Sequence, residues 1–136
     1  MEFNRNWDNY TFTDAIRNES IRIQETAPMQ HRIYSYIDRG LYVEQIKRFI
    51  NTFPRNQLLF IKYEEFNLNQ EETLEHIFNF IGVDGKKFNF ERKTVHKIKY
   101  HSLISGEDKE FLSNIFRADI NELENILGWN CSDWLE

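Results

Sequence analysis

Apolar residues recur at helical spacing through the first third of the chain and predict three helices there. Thr11 and Asp14 have the spacing of a capping box, and the apolar positions after them predict a helix over about residues 13–25. A short second helix is expected to stop at Gly40. The third is marked by an apolar stripe formed by Tyr42, Ile46, Phe49 and Ile50.

Residues 57–63 (QLLFIKY) have a different pattern. The run is almost continuously apolar, too short for an ordinary helix, and bounded by Pro54-Arg55-Asn56 and by a pair of glutamates. Such a run is typical of a strand that is covered on both faces, as in parallel sheets. A strand is therefore predicted here.

Three more helices are predicted after this strand. Each has a start signal of one kind, an acceptor side chain followed three residues later by Asp or Glu; the start positions are Asn69, Ser105 and Asp119. Glycine is expected just after the last turn of the first and third of these helices, at Gly82 and Gly128.

The sequence predicts about six helices but only one strand. A lone strand cannot satisfy its backbone N–H and C=O groups without neighbouring strands. Two explanations stay open at this point. Either a weaker strand lies within residues 88–100, or the neighbours belong to a chain other than this one.

Composition and charge narrow the class of protein. With 136 residues, 40% of them hydrophobic and 15% aromatic, the chain is expected to form one globular core. The sequence has no apolar run approaching the ~20 residues of a membrane span, and its one cysteine, Cys131, cannot form an internal disulfide and is expected to fill the core. A soluble, cytoplasmic protein is the expectation.

The net charge of −5 opposes general nucleic-acid binding, but positive charge is concentrated in one segment. Between residues 85 and 101, six basic residues stand against one acidic residue. If RKTVHKIKYH is extended, Lys97, Lys99 and His101 share one face. Three interpretations are open: a solvated loop, a phosphate or sulfate contact, and a contact with an acidic or nucleic-acid partner.

Motifs for several kinds of chemistry are missing from the sequence. There is no GxxxxGK[ST] phosphate loop, no GxGxxG turn and no GxSxG nucleophile motif. His96 and His101 are five residues apart, which suits neither one helix face nor one strand face, so a shared metal is not expected.

Four short motifs follow one another in an order that resembles a known family. They are G-x-Y-x-x-Q-I from Gly40, F-P-R-x-Q-L-L from Phe53, Y-E-E-F from Tyr63 and F-I-G-V from Phe80, flanked by FTDAIRNES and by FRADINELENILGWNCSDWL. Together they look like the C-terminal half of sulfotransferases that use 3′-phosphoadenosine 5′-phosphosulfate (PAPS), especially the bacterial and heparan-type members. The resemblance covers nearly the whole chain.

The resemblance implies a fold of the α/β class, with three layers around a parallel sheet like that of P-loop kinases. This chain would be mostly α-helical with one or two strands, and residues 1–136 would be the C-terminal portion of a domain. The phosphosulfate-binding loop and the catalytic base of the family would precede residue 1. No catalytic residue is therefore assigned to this chain.

The resemblance also implies a co-substrate and contact residues. Tyr63 matches a position that reaches the adenine in cytosolic members, and Lys97 and Lys99 fall where the family closes a basic loop over the 3′-phosphate. The complete enzyme would transfer a sulfuryl group from PAPS to a hydroxyl or amine of a small molecule or saccharide. The chain alone is expected to be inactive and to need a missing N-terminal half or a second chain as its partner.

A hypothesis of another class stays open on the sequence alone. The chain would then be a stand-alone helical interaction module that binds an acidic or nucleic-acid partner through the basic segment from Lys86 to Lys99.

Overall fold

The computed structural model describes residues 8–26, 33–85 and 103–135. The chain forms two compact units, a larger one of Met1–Arg48 with Ile104–Glu136 and a smaller one of Phe49–Leu103. Regular structure in the described residues is helical. The α-helices are α1 (Phe12–Arg17), α2 (Glu19–Thr26), α3 (Tyr42–Thr52), α4 (Tyr63–Leu68), α5 (Gln70–Ile81) and α6 (Gly106–Leu127), and short 3₁₀ turns cover Asp38–Gly40, Arg55–Gln57 and Ser132–Leu135.

The core of the larger unit forms where the start of α3 meets one face of α6. Val43 of α3 is buried with Ile120 and Leu123 of α6, and Cys131 is wholly inaccessible beside them. Partly buried side chains surround this cluster, namely Ile46, Phe116, Ile126, Leu127, Trp129, Trp134 and Leu135. Cys131 thus fills the core, as its sequence context predicts.

The buried face of α3 is offset from the predicted stripe. Val43 and Ile46 face the core, whereas Tyr42 and Phe49 are each about half exposed. The Tyr42 ring makes an edge contact with Trp134 instead, with the ring centroids 6.3 Å apart. Tyr42 therefore covers the rim of the core and does not enter it.

Two predicted helix starts and both predicted glycine stops are confirmed. The Thr11 hydroxyl accepts a hydrogen bond from the Asp14 N–H at 3.2 Å, and the Ser105 hydroxyl accepts one from the Asp108 N–H at 3.0 Å. Gly82 and Gly128 follow the last turns of α5 and α6 with φ of 72° and 70°. Glycine adopts this left-handed conformation without the steric cost that a side chain brings.

The helix expected over residues 13–25 is two helices, because the backbone breaks at Asn18. The Asn18 side-chain amide donates to the Asp14 carbonyl at 2.8 Å, and the Asn18 N–H donates to the same oxygen. Such local side-chain bonds compete with helix continuation. The short helix expected before Gly40 is only a 3₁₀ turn, Asp38–Gly40.

The predicted start of a separate helix at Asp119 is wrong, since α6 runs unbroken through this residue. The Asp119 carboxylate instead accepts hydrogen bonds from the backbone N–H groups of Tyr42 and Val43 at 2.9 and 3.2 Å. It therefore caps the N-terminus of α3 from a neighbouring helix, which satisfies donors that α3 itself cannot.

A buried carboxylate joins α1 to α6. Asp108 accepts hydrogen bonds from the Thr13 hydroxyl at 2.6 Å and from the Arg17 guanidinium at 3.2 Å. The bond from Thr13 is the largest influence on the Asp108 pKa and, with those from Ser105 and Arg17, outweighs the loss of hydration, so the pKa lies below its ordinary value. Asp108 is therefore a charged anchor for the first helix.

In the smaller unit, residues 58–62 connect a 3₁₀ turn to α4 without helical structure, and this stretch is called the extended segment after the backbone at its two ends. Leu58 and Lys62, at its two ends, both have extended backbone angles. The structure assigns residues 58–62 to no strand. The strand predicted over residues 57–63 is therefore not formed among the described residues, since Gln57 ends the 3₁₀ turn and Tyr63 begins α4. The weaker strand expected within residues 88–100 lies outside the described residues.

The helix α5 begins at Gln70 as predicted, but not by the predicted cap. The Asn69 side chain makes no capping hydrogen bond, and the residue links α4 directly to α5. The Asn69 carbonyl instead accepts hydrogen bonds from both the N–H and the hydroxyl of Thr73. The start signal in the sequence thus located this helix. The hydrogen bonds at its first turn are made by the Asn69 backbone, because this residue connects α4 to α5.

Candidate functional site

Tyr63 stands where the extended segment ends and α4 begins. Its side chain is 68% exposed, and it is the first residue of α4. Glu64 and Glu65 follow it in the first turn, where negative charge interacts favourably with the helix dipole. An exposed aromatic ring held by a helix end is a surface on which a planar base can stack.

The F-P-R motif forms the turn before the segment that leads to Tyr63. Pro54 is the N-cap residue of the Arg55–Gln57 turn, and its carbonyl accepts a hydrogen bond from the Gln57 N–H at 2.9 Å. The Arg55 guanidinium donates to the Leu58 carbonyl at 2.7 Å and lies 5.4 Å from the centre of the Phe60 ring. The motif thus sets the direction in which the extended segment leaves the turn.

Asp8 and Arg22 form a buried ion pair in the larger unit. Two guanidinium nitrogens of Arg22 lie 3.0 and 2.8 Å from the two carboxylate oxygens of Asp8, which is the bidentate geometry. The guanidinium also lies over the rings of Tyr10 and Tyr34, 4.2 and 3.7 Å from their centres. The Tyr36 hydroxyl donates to Asp8 at 2.7 Å.

The ionised form of Asp8 is favoured despite its burial. Burial acts to raise the pKa of this carboxyl, but the hydrogen bonds that it accepts from Arg22, Tyr36 and the Tyr10 N–H, with the Arg22 charge, outweigh that effect. The pKa of Asp8 therefore lies below its ordinary value. The pair is a permanent charge pair at neutral pH.

Glu19, one helical turn before Arg22, binds a row of backbone donors. Its carboxylate accepts hydrogen bonds from three consecutive N–H groups, those of Tyr36 at 2.8 Å, Ile37 at 2.6 Å and Asp38 at 2.8 Å. Glu19 is itself buried. Through Glu19 and Arg22, α2 holds the backbone that leads into the Asp38–Gly40 turn.

Sequence reasoning did not single out Asp8, Glu19 or Arg22. The one available signal is that Glu19 and Arg22 are three residues apart and so share a face of α2. Charged residues at this spacing are usually solvated, and their partners come from segments before and after the helix. Only the folded chain reveals which groups they meet.

The structure describes one of the three predicted contact residues. Tyr63 is exposed, whereas Lys97 and Lys99 lie outside the described residues. In the parts of the chain that are described, no group of three or more His, Cys, Asp and Glu side chains is arranged to hold a metal ion. Within the same parts, every helix is too short or too polar to cross a membrane.

The backbone as a whole has a known counterpart among solved structures. It is similar to the crystal structure of a sulfotransferase from Alicyclobacillus acidocaldarius, with a TM-score of 0.78 and 23% sequence identity. The match covers 98% of this chain and 49% of that chain. The fold is therefore that of part of a sulfotransferase, and the chain spans about half the length of that solved structure.

Sequence comparison identifies the family. The model of the sulfotransferase domain matches residues 2–122, and the chain belongs to this family. A curated relative, the membrane-associated sulfotransferase kil1 of Dictyostelium discoideum, is 25% identical over 97 residues, which make up 71% of this chain and 20% of that protein. The resemblance read from the four ordered motifs is confirmed, and the interaction-module hypothesis is not favoured.

Proposed function

We propose that this chain is the C-terminal portion of a PAPS-dependent sulfotransferase domain. The observation that carries the proposal is the match of almost the whole chain to half of a solved sulfotransferase, together with membership of the family. The complete enzyme would transfer a sulfuryl group from PAPS to a hydroxyl or amine of a small molecule or saccharide. PAPS supplies the sulfuryl group when bound.

In this proposal, Tyr63 contacts the adenine of PAPS. Its ring is largely exposed and follows directly on the extended segment, so it is free to stack on a base. Lys97 and Lys99 would contact the 3′-phosphate, since ammonium groups pair with phosphate oxygens through charge-assisted hydrogen bonds. Support for the two lysines comes from their positions in the sequence alone.

The chain by itself would be inactive. It contains no glycine-rich phosphate loop, and sulfuryl transfer needs donors that stabilise the leaving bisphosphate and a base for the acceptor proton. In the family these groups lie in the other half of the domain. A missing N-terminal half, or a second chain that provides it, is the proposed partner.

The proposal is tested by completing the domain. The completed protein is defined as this chain preceded by the part of the Alicyclobacillus sulfotransferase that lies outside the match. We expect it to release adenosine 3′,5′-bisphosphate from PAPS when a phenol or an amino sugar is the acceptor, and we expect no release from this chain alone. Release is followed by anion-exchange chromatography.

Two controls accompany that assay. The Alicyclobacillus part alone should be inactive, because it lacks the elements that this chain supplies. Turnover by this chain alone would refute the proposed inactivity, and a folded completed protein that transfers nothing to either acceptor would refute the proposed function.

A further inference from the structure

An open hollow, the α1 hollow, lies along one face of α1 in the larger unit. Its volume is about 330 Å³, and it is lined by Asn9, Tyr10, Thr11, Asp14 and Asn18. The last three of these residues follow one another at intervals of three and four, which places their side chains on the same face of a helix. This volume is at the lower end of the range for small-molecule sites, so the hollow has room for one ring-sized ligand.

The Tyr10 ring is a fixed part of the lining. The Arg22 guanidinium lies over this ring, 4.2 Å from its centre, and is itself held by both carboxylate oxygens of Asp8. The Tyr10 N–H donates to the same carboxylate at 3.1 Å. The Tyr10 side chain is nevertheless 43% exposed, so part of the ring stays open to a ligand. A ring that is already fixed loses little conformational freedom when a ligand packs against it.

Polar groups with spare hydrogen-bonding capacity line the hollow beside this ring. The Asn9 side chain is exposed and makes no hydrogen bond to any described residue. The Asn18 amide donates from its nitrogen to the Asp14 carbonyl, which leaves its oxygen as an acceptor. One carboxylate oxygen of Asp14 accepts from the Thr11 hydroxyl at 2.6 Å, and the other has no partner among the described residues. Amides and carboxylates together can pair with several hydroxyl groups of one ligand.

The charge of the α1 hollow decides the class of ligand. Asp14 is the one charged residue in its lining among the described residues, which include no Lys, Arg or His at this place. Sulfated and phosphorylated ligands need cationic donors, and a carboxylate repels them. An aromatic face beside amides and a carboxylate instead suits a ring with apolar C–H groups on one face and hydroxyl groups at its edge. Uncharged sugars have this structure.

We infer that the α1 hollow binds one uncharged sugar ring of the acceptor. The inference rests on the proposed function, because an acceptor exists only if the chain is part of a sulfotransferase. It also narrows that function. Glycosaminoglycans are polyanions, and the hollow offers their charged rings no cationic side chain among the described residues.

Titration of the isotope-labelled chain with disaccharides tests this sugar site by NMR. The neutral probes are maltose, lactose and N,N′-diacetylchitobiose. The anionic comparator is the hyaluronan disaccharide, which differs from diacetylchitobiose mainly by its carboxylate. We expect at least one neutral probe to shift the amide signals of residues 9–18, with a Kd of about 1 mM. The comparator should bind about tenfold more weakly, because the Asp14 carboxylate repels it.

Two substitutions separate binding from folding. Asn9→Ala removes an amide that bonds to no described residue, so the thermal midpoint should stay unchanged while binding weakens roughly threefold to tenfold. Tyr10→Leu should weaken binding by a similar factor, whereas Tyr10→Phe keeps the ring and should bind like the wild type. Asn51→Ala, at an exposed position of α3 outside the lining, is the matched control and should leave both the thermal midpoint and binding almost unchanged.

Several outcomes would overturn the inference. One is that no neutral probe shifts any signal at tens of millimolar, and another is that the shifts are confined to residues outside the α1 hollow. Equal binding of the hyaluronan disaccharide would refute the selection for uncharged rings. Unchanged affinity in Asn9→Ala and Tyr10→Leu would place the sugar elsewhere, and if Tyr10→Leu unfolds, Asn9→Ala decides alone.

Failure of this inference differs from failure of the proposed function, because sugar binding by this chain needs no PAPS. If a neutral probe binds but the completed protein transfers nothing to any acceptor, the enzyme activity is refuted and the sugar-binding part of the inference stands. If the completed protein transfers to a phenol but not to the disaccharide that binds, the α1 hollow is no part of the acceptor site and the inference is overturned.

Discussion

Replacing Asp8 with Asn is expected to destabilise the larger unit by about 3–5 kcal/mol, the usual cost of removing one partner from a buried ion pair. Arg22 would remain buried, only 11% exposed, with its charge no longer neutralised. The hydroxyl of Tyr36 and the N–H of Tyr10 would also lose a charged acceptor. Urea unfolding followed by circular dichroism at pH 7 measures the difference.

The effect of Asp8→Asn should shrink in acid. The pKa of Asp8 is lowered in the folded chain, so the pair contributes its full stability above the unfolded-state value of about 3.9 and loses it as the pH falls through the lower folded-state value. The wild-type advantage at pH 7 should therefore decline below about pH 4. Glu75→Gln, at an exposed carboxylate, is the control and should change stability at neither pH.

A loss below about 0.5 kcal/mol for Asp8→Asn would place it among ordinary surface substitutions and contradict the buried pair. If the variant is unfolded at 25 °C in water, the loss exceeds the whole stability of the unit, which agrees with the expectation. Tyr36→Phe then gives a graded test, since it removes one hydrogen bond and should cost about 1–3 kcal/mol.

Glu19→Gln is the second large effect that we expect, with a loss of about 2–4 kcal/mol. The Glu19 carboxylate accepts three consecutive backbone N–H groups, and a neutral amide provides one weaker acceptor and turns its NH₂ toward donors. Bonds to a charged acceptor are each about twice as strong as neutral ones. Thermal unfolding and amide exchange at residues 36–38 report the change.

The control for Glu19→Gln lies on the same helix. Glu25→Gln removes the same charge at an exposed position of α2 and should leave the thermal midpoint almost unchanged. Faster exchange of the amides of Tyr36, Ile37 and Asp38 should accompany the loss in Glu19→Gln alone. Unchanged exchange at these three amides would rule out the contact.

Local signals in the sequence were enough to predict where most helices begin and end. Thr11 and Ser105 cap their own helices through contacts three residues away, and Gly128 adopts the left-handed conformation that its position requires. These interactions are encoded within one turn of chain, so spacing alone reveals them. The same local rule failed at Asp119, whose carboxylate is used by α3, 76 residues earlier.

The candidate site was predictable only in part. The ordered motifs located Tyr63 at the end of an extended segment, and the structure leaves its ring exposed there. The role of the buried charges could not be read in advance, because Arg22 bonds to Asp8 and Glu19 bonds to the N–H groups of residues 36–38, contacts that spacing along the chain does not encode. The assignments of Tyr63 to the adenine and of Lys97 and Lys99 to a phosphate stay predictions, as does the cytoplasmic location.

Strand pairing could not be predicted for the same reason, since it depends on residues distant along the chain. A run such as LLFI predicts an extended backbone from its own side chains, but the identity of its neighbours depends on strands elsewhere. Here the described residues provide none. The side chains of the run alone were therefore not enough to predict its pairing.

Calorimetric titration with adenosine 3′,5′-bisphosphate tests most directly the claim that this chain is one half of a nucleotide site. Stacking on Tyr63 alone is worth about 1–3 kcal/mol, whereas a micromolar Kd requires about 8 kcal/mol. We predict no saturable heat with this chain, micromolar binding with the completed protein, and about tenfold weaker binding after Tyr63→Ala in that protein but not after Tyr63→Phe. Micromolar binding by this chain alone would contradict the account.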